Sequence, residues 1–326
     1  MHVEALERAG LAPAALIDAD PECRAALRRR WPAAVVATSP TEVLDAFDVA
    51  IVAVPDLLHP SVTIELLQAD KDVLVEKVMA GTRAEADAMV AAARATGRLL
   101  AVAHVGRHLA VKSWAFDQLR SGVLGHVERV DASQGGRDDW TASSSGYVDQ
   151  AAGGVIAGQG AHALDLLAWW FGTLAVVSCA DDAHGGHEAN ATIELVTGNV
   201  PIHLELSRIR SNRNTIRVHT ERGLLEVALD HYQPRQLLAV PDRLDIEPFT
   251  EPSTEPSTDP HTGTVDDLAG HFDRQLRAFT DALDGRWSPR LATGVEGAAV
   301  AALLEDCYAC RTPAEPWWMA SATTRS

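Results

Sequence analysis

Two rhythms of apolar residues alternate along the first hundred positions. PAALID (13–18), PAAVVAT (32–38), DVAIVAVP (48–55), DVLVEK (72–77) and RLLAVAH (98–104) are short apolar runs, most holding Val or Ile and bounded by Pro, Asp or His. Their length and β-branched content predict strands. Between them PECRAALRRRW, PTEVLDAF, PSVTIELLQAD and TRAEADAMVAAARATG space apolar residues by three and four, with Thr, Pro or Asp near several starts. That is the pattern of capped amphipathic helices. Strands apolar on both faces and joined by helices predict a doubly wound parallel sheet covered on both sides.

After residue 105 the rhythm changes. A helix is predicted over about 108–121, then HVERVDASQGGRDDW, then GGVIAGQGAHALDLLAWWFG as an apolar helix carrying a His and an Asp. AVVSCADD, EANATIELVT, VPIHLELSRIR, TIRVHTERG and LLEVAL alternate apolar and polar positions, which predicts a large, mainly antiparallel sheet with one wet face. EPSTEPSTDP (251–260) reads as a low-complexity loop, and HFDRQLRAFTDALDG and TGVEGAAVAALLEDCYACR as closing helices. The expected division is an α/β domain over 1–106 and an α+β substrate-binding domain over 107–326.

One part of the first domain is missing. A Rossmann-type sheet opens with a strand running into a GxGxxG turn, whose glycines let the backbone approach a pyrophosphate at a helix N-terminus. The chain instead opens with HVEALERAG, which reads as the helix that follows such a turn. Either the true start lies upstream, or the pyrophosphate cradle has been lost; the missing strand would be the middle one of the sheet.

Composition narrows the partners. The net charge of −17 argues against nucleic acid or an anionic membrane surface and toward a small molecule. No apolar stretch has the length of a membrane span, and the N-terminus lacks a signal-peptide pattern, so a cytoplasmic location is expected. Four scattered cysteines do not make a disulfide framework. Cys307 and Cys310 form a CxxC within a helical pattern, and two buried thiols one turn apart is preferred to a zinc pair. In HGGHE (184–188) a glycine-bearing turn is preferred to a metal site.

The chain holds three lysines against twenty-five arginines, and Lys77 is one of the three. A guanidinium stays charged, whereas an ammonium that loses solvent can trade its proton. Lys77 ends the run DVLVEK, at the carboxyl end of a predicted parallel strand, where such sheets bind ligands. It is therefore the candidate proton carrier, against a plain surface lysine. His162 lies on the helix after a double glycine with Asp165 one turn further on, and a satisfied core histidine is the alternative. Asp18 ends the second strand of the usual unit, where a carboxylate hydrogen-bonds ribose hydroxyls and repels a 2′-phosphate, favouring NAD over NADP. The alternative is an Asp that only starts the turn ADPE.

DVAIVAVPDLLHP, DVLVEK, GGVIAGQGAHALDLLAWWFG, IRVHTERGLLEV and HFDRQLRAFTDALDG, in this order and spacing, resemble the glucose-fructose oxidoreductase and myo-inositol dehydrogenase family (Gfo/Idh/MocA). The resemblance implies hydride transfer between a nicotinamide cofactor and a secondary alcohol or ketone of a sugar, sugar derivative or cyclitol. It implies that Lys77 and His162 handle the proton, that Pro55, Asp56 and His59 lie beside the nicotinamide ribose, that Glu76 and Lys77 also bind the cofactor, and that the open sheet face mediates a homodimer or homotetramer. The sequence departs from the family at two places. Gly158 stands four positions before His162, where an acidic or amide residue is usual, and Val78 stands after Lys77 where proline is usual. Arg107, Arg137, Trp140, Tyr147 and Asp165 are candidate substrate contacts, since aromatic faces and Arg or Asp side chains often hold sugars. These departures, with the absent glycine turn, keep a cofactor-free binding or scaffold protein open as the second reading.

Overall fold

The computed structural model describes residues 1–136, 154–183, 187–229 and 265–314, with side chains from residue 270 in the last segment. Arg137, Trp140, Tyr147, the loop 251–260 and the first three residues of HGGHE lie outside the described residues. In chain order the elements are α1 (His2–Arg8), β1 (Ala15–Ile17), α2 (Pro21–Arg30), β2 (Val35–Ala37), β3 (Val49–Val52), α3 (His59–Gln68), β4 (Asp72–Val75), α4 (Arg83–Thr96) and β5 (Leu100–Val102). There follow α5 (Ala110–Ser121), β6 (Val127–Gly135), α6 (Ala161–Phe171), β7 (Ala175–Asp181), β8 (Asn190–Thr197), β9 (Val200–Ser207), β10 (Thr215–Thr220) and β11 (Gly223–Ala228). The last are α7 (Val265–Leu283), β12 (Ala292–Thr293), α8 (Gly294–Cys310) and β13 (Arg311–Pro313).

Two compact units result. The first is Met1–His108 with Val265–Ala298, and the second is Leu109–Thr264 with Ala299–Ser326. The return of 265–298 to the first unit was not in the sequence expectation, and its cause is burial. Phe279 and Ala278 of α7, with Leu291, form one apolar cluster with Leu74 and Ala101 of the parallel strands and Ala103 just after β5.

All five predicted strands of the first unit are present, and they fall into two sheets. β1 pairs with β2 in parallel, while β3, β4 and β5 form a second parallel sheet to which β12 adds an antiparallel edge. In the common order 3-2-1-4-5-6, one further parallel strand lies between such a pair and such a triplet. The expected gap thus appears as a break between β1 and β3, each of which has a single strand neighbour. Burial follows the break. β4 and β5 are buried from Val73 to Val75 and Leu100 to Val102, while β1 is only half-buried and α2 buries no residue. α4 carries a reciprocal cap, Thr82 with Glu85, and stops at Gly97 in the left-handed conformation (φ 68°). The helix predicted over PTEVLDAF is two 3-10 turns, Pro40–Glu42 and Leu44–Ala46. Ser39 and Glu42 close the first turn on themselves, and none of the six residues is buried to hold a longer helix.

The second unit is built on a seven-stranded sheet in the order β11-β10-β6-β9-β8-β7-β13, antiparallel except at β6–β9 and β7–β13. One face is apolar and buried, with Val130, Ile193, Leu195, Ile202, Leu204, Ile216 and Val218 at or near full burial. The other carries a row of directly opposed residues running across five strands, in which Glu194, Asp131 and Glu226 alternate with His203 and Arg217. Opposed charges at this spacing favour the observed register. Cys307 is buried but Cys310 is exposed, so only one thiol of the CxxC fits the expected buried pair. No helix among the described residues is long and apolar enough to cross a membrane.

A buried histidine sets a pH response in the first unit. Burial, then the charges of Arg274, Arg107 and Arg290, hold His108 at about 3, far below its usual value. The ring is neutral in the fold, whereas the unfolded chain binds a proton near pH 6.5. Its contribution is therefore complete above that pH and is lost as pH falls toward 3. Between about pH 6.5 and about pH 4, urea unfolding should show wild-type stability falling more steeply than that of His108→Gln, by up to about 1.4 kcal/mol per pH unit. Equal slopes would show that His108 is not held neutral.

Candidate active site

β4 delivers Lys77. Three buried apolar residues end at Val75, and the chain then turns, leaving Glu76 and Lys77 half-buried at the carboxyl end of the strand. Glu76 is fastened on both carboxylate oxygens: Oε1 lies 2.7 Å from His2 Nε2, and Oε2 accepts from the Lys77 backbone N–H at 3.1 Å. Burial pushes the Glu76 carboxyl up, but the hydrogen bond and charge of His2, then those of Lys77, outweigh it and hold the group below the usual carboxylate range. The peptide bond from Lys77 to Val78 is cis.

His59 sits under this turn. Its ring is fully buried, with Nδ1 2.7 Å from the Val78 carbonyl oxygen and Nε2 2.9 Å from that of Val54. An imidazole carrying one N–H donates to only one of these two carbonyl oxygens at a time. The structure therefore ties the turn after β3 to the turn after β4 through one side chain. Both ring nitrogens face backbone carbonyls. Pro55 and Asp56 are exposed at the carboxyl end of β3, where Asp56 begins a 3-10 turn ending in the exposed Leu57 and Leu58.

Asp18 follows β1 directly. Its Oδ1 accepts from the Asp20 backbone N–H at 2.8 Å, and Arg24 donates to the backbone carbonyl of Asp18 at 2.7 Å. The half-buried carboxylate is thus oriented at a strand end by its own turn, the position and chemistry a ribose diol requires. Lys77, Pro55 and Asp56 likewise stand just beyond the carboxyl ends of parallel strands. The glycine turn for a pyrophosphate is not among these residues. Arg107 is buried to 1% exposure, and its Nη1 donates to Glu296 Oε1 at 2.7 Å. Glu296 Oε2 in turn accepts from the Thr293 backbone and hydroxyl, so Arg107 anchors the start of α8.

The second unit presents His162. The chain enters α6 through a π-helical turn, Ile156–Gly160, a form that recurs at functional sites. Glu188, 2% exposed, closes the start of this turn: its Oε1 accepts from the Ile156 N–H and the Tyr308 hydroxyl, both at 2.9 Å. Burial, then the Glu188 charge, push the Tyr308 phenol up, so it stays a donor. Sequence reading missed Glu188, whose 32-residue separation from Ile156 leaves no local signal. His162 is half-buried on the first turn of α6, while Asp165 is buried on its inner side. A side chain at Gly158 would collide with Nη2 of Arg208, the residue after β9. Among the described residues no three His, Cys, Asp or Glu side chains gather as a metal site.

Comparison with known proteins agrees with these two units. Residues 1–104 match the model of the oxidoreductase family with an NAD-binding Rossmann fold, GFO_IDH_MocA, and residues 114–226 match the GFO/IDH/MocA C-terminal domain. A protein of Amycolatopsis mediterranei (strain S699) named "Putative UDP-kanosamine synthase oxidoreductase subunit" is 32% identical over 178 residues. That match takes in 52% of this chain and 47% of the relative, so the chain spans about half the length of that curated relative. Among solved structures, the WlbA dehydrogenase of Bordetella pertussis, in complex with NADH and UDP-GlcNAcA, has a TM-score of 0.77 at 20% identity over 95% of this chain and 91% of that one. An Agrobacterium radiobacter oxidoreductase, in complex with NAD+, L-tartaric acid and magnesium, has a TM-score of 0.80 at 18% identity over 95% and 92%. A 3-ketoreductase of Actinomadura kijaniata, in complex with TDP-benzene and NADP, has 0.73 at 20% over 96% and 93%. At such identities the structural likeness speaks for the fold. Matches to both domain models, in chain order and on the two units just described, carry the assignment: the chain belongs to the Gfo/Idh/MocA oxidoreductase family, with that family's NAD-binding Rossmann fold.

Proposed function

We propose that the protein is an NAD-dependent oxidoreductase that interconverts a secondary alcohol and a ketone on a sugar, sugar derivative or cyclitol. The observation that carries this reading is the presentation of Lys77 at the carboxyl end of β4, on a turn held by His59 and Glu76. When bound, the nicotinamide accepts or gives the hydride. The chain's own task is the proton. In oxidation the neutral Lys77 amine takes the hydroxyl proton, and in reduction the Lys77 ammonium returns it to the forming alkoxide. His162 shares this proton handling, as the family resemblance implies. The Asp18 carboxylate hydrogen-bonds the adenosine ribose and disfavours a 2′-phosphate, supporting NAD over NADP. Assembly into a dimer or tetramer through the open face of the second unit's sheet is what the family resemblance implies.

A second reading is a cofactor-free binding protein on the same fold, favoured by Arg208 standing where the side chain of residue 158 would lie. Titration of the chain with NADH separates the two. Saturable quenching of tryptophan fluorescence supports the enzyme, and no quenching at about millimolar cofactor, a typical upper bound for enzyme ligands, supports the binding protein.

Two substitutions test the proton site. Lys77→Met should lower turnover, followed as NADH absorbance over a panel of polyols and keto sugars, by about 10²–10⁴ while NADH affinity stays within a few fold. Undiminished turnover would remove Lys77 from the chemistry. His59→Phe removes the ring N–H that reaches the Val54 and Val78 carbonyls and should cost about 1–3 kcal/mol in urea unfolding. A loss confined to a few tenths would show that His59 does not hold the two turns.

A further inference from the structure

Glu76 stands between a helix and the lysine, and its two bonds are unequal. Oε1 lies 2.7 Å from His2 Nε2, a short contact between side chains that can both carry charge, whereas Oε2 accepts from the Lys77 N–H at 3.1 Å. The first is the stronger kind. Burial, the largest influence on this carboxyl, pushes it toward the neutral form, and the His2 hydrogen bond and charge oppose that ahead of anything Lys77 supplies. Without His2 the carboxylate keeps one long bond to the next residue's backbone. It can then turn or take a proton, and the Lys77 N–H loses a fixed acceptor.

His2 is itself held from outside the strand. It is the first residue of α1, and its ring meets the Phe272 ring of α7 edge-on, with centroids 5.1 Å apart. At the other end of α1, Arg8 grips both carboxylate oxygens of Asp273 on α7, Nε at 3.0 and 2.9 Å and Nη2 at 2.7 Å. Ala5 between them is buried. The helix is therefore seated on α7 without help from Glu76, so docking α1 does not explain a histidine aimed at the residue before Lys77. The pair is also no ordinary surface contact: the His2 and Glu76 side chains are 16% and 25% exposed, which limits the solvent screening that weakens exposed pairs. What the contact fixes is a lysine backbone. A misplacement of about 1 Å at a reacting group costs roughly 10²-fold in rate.

We propose that His2 is a positioning residue for Lys77, acting through the Glu76 carboxylate, so that α1 and α7 together set the pose of the proton carrier. The role of Lys77 rests on the oxidoreductase reading; the brace does not.

Three variants of the full chain separate reach, donor and ring. His2→Gln keeps an N–H donor near the place of the imidazole Nε2, His2→Asn carries the same amide one carbon short, and His2→Phe keeps a ring on Phe272 with no donor. Deuterium exchange of the Lys77 backbone amide, read by NMR, should quicken at least about tenfold in His2→Phe and His2→Asn and stay within about twofold of wild type in His2→Gln. The Glu76 amide, bonded to the Val52 carbonyl at 2.8 Å, reports on the strand itself and should not move. On the panel sugar that wild type turns over fastest, kcat should fall about 10–100-fold in His2→Phe and His2→Asn with KM within about twofold, and His2→Gln should retain most of it. Should His2→Phe not fold, the Asn and Gln pair decides. Unchanged Lys77 exchange in the Asn and Phe variants, an equal loss in all three variants, or full kcat where exchange has quickened would overturn the proposal. If exchange follows the brace while wild type turns over no sugar, the brace stands and the hydride reading falls. If wild type and His2→Phe turn over sugars equally, the reverse holds.

Discussion

A parallel strand that ends at a reactive side chain leaves backbone carbonyls with no ladder partner, and a buried carbonyl without a donor is costly. The first unit meets this constraint with one histidine. His59, at the start of α3, reaches the carbonyls of Val54 and Val78 and so fixes the ends of two adjacent strands against one ring. Glu76 adds a second brace from α1 through His2. Lys77 lies between these braces, its backbone N–H on Glu76 and the following Val78 carbonyl on His59.

The second unit solves a similar problem from a distance. The turn that carries Gly158 and leads to His162 is closed by Glu188 and Tyr308 and overlaid by Arg208, three residues remote from it in sequence. This dependence fits the burial pattern. The apolar face of the large sheet supplies a rigid floor, and the polar side chains at strand ends are free to be specialised.

Much of the scaffold was legible because burial writes a period into sequence. The five short strands of the first unit, the capped α4 and the alternating strands from Ala175 to Ala228 all follow from apolar spacing. PTEVLDAF was misread because a three-and-four spacing without burial does not sustain a helix. The site was only partly legible. The rarity of lysine and its place at a strand end singled out Lys77, but the positioning role of His59 depends on contacts 5 and 19 residues away, and the place of Arg208 on one 54 residues away. Such pairings are set by the fold and leave no periodic trace. For Arg107, an anchoring ion pair with Glu296 across 189 residues was equally invisible beforehand.

The central claim is that this chain moves hydride between a nicotinamide and a sugar carbon. The most direct measurement is label transfer: the chain is incubated with NADH deuterated at the transferring position of the nicotinamide and with a panel of keto sugars and keto sugar acids, and the products are read by mass spectrometry. Deuterium bound to carbon in a reduced sugar is the result expected here. Full cofactor occupancy with no label reaching any sugar would contradict it.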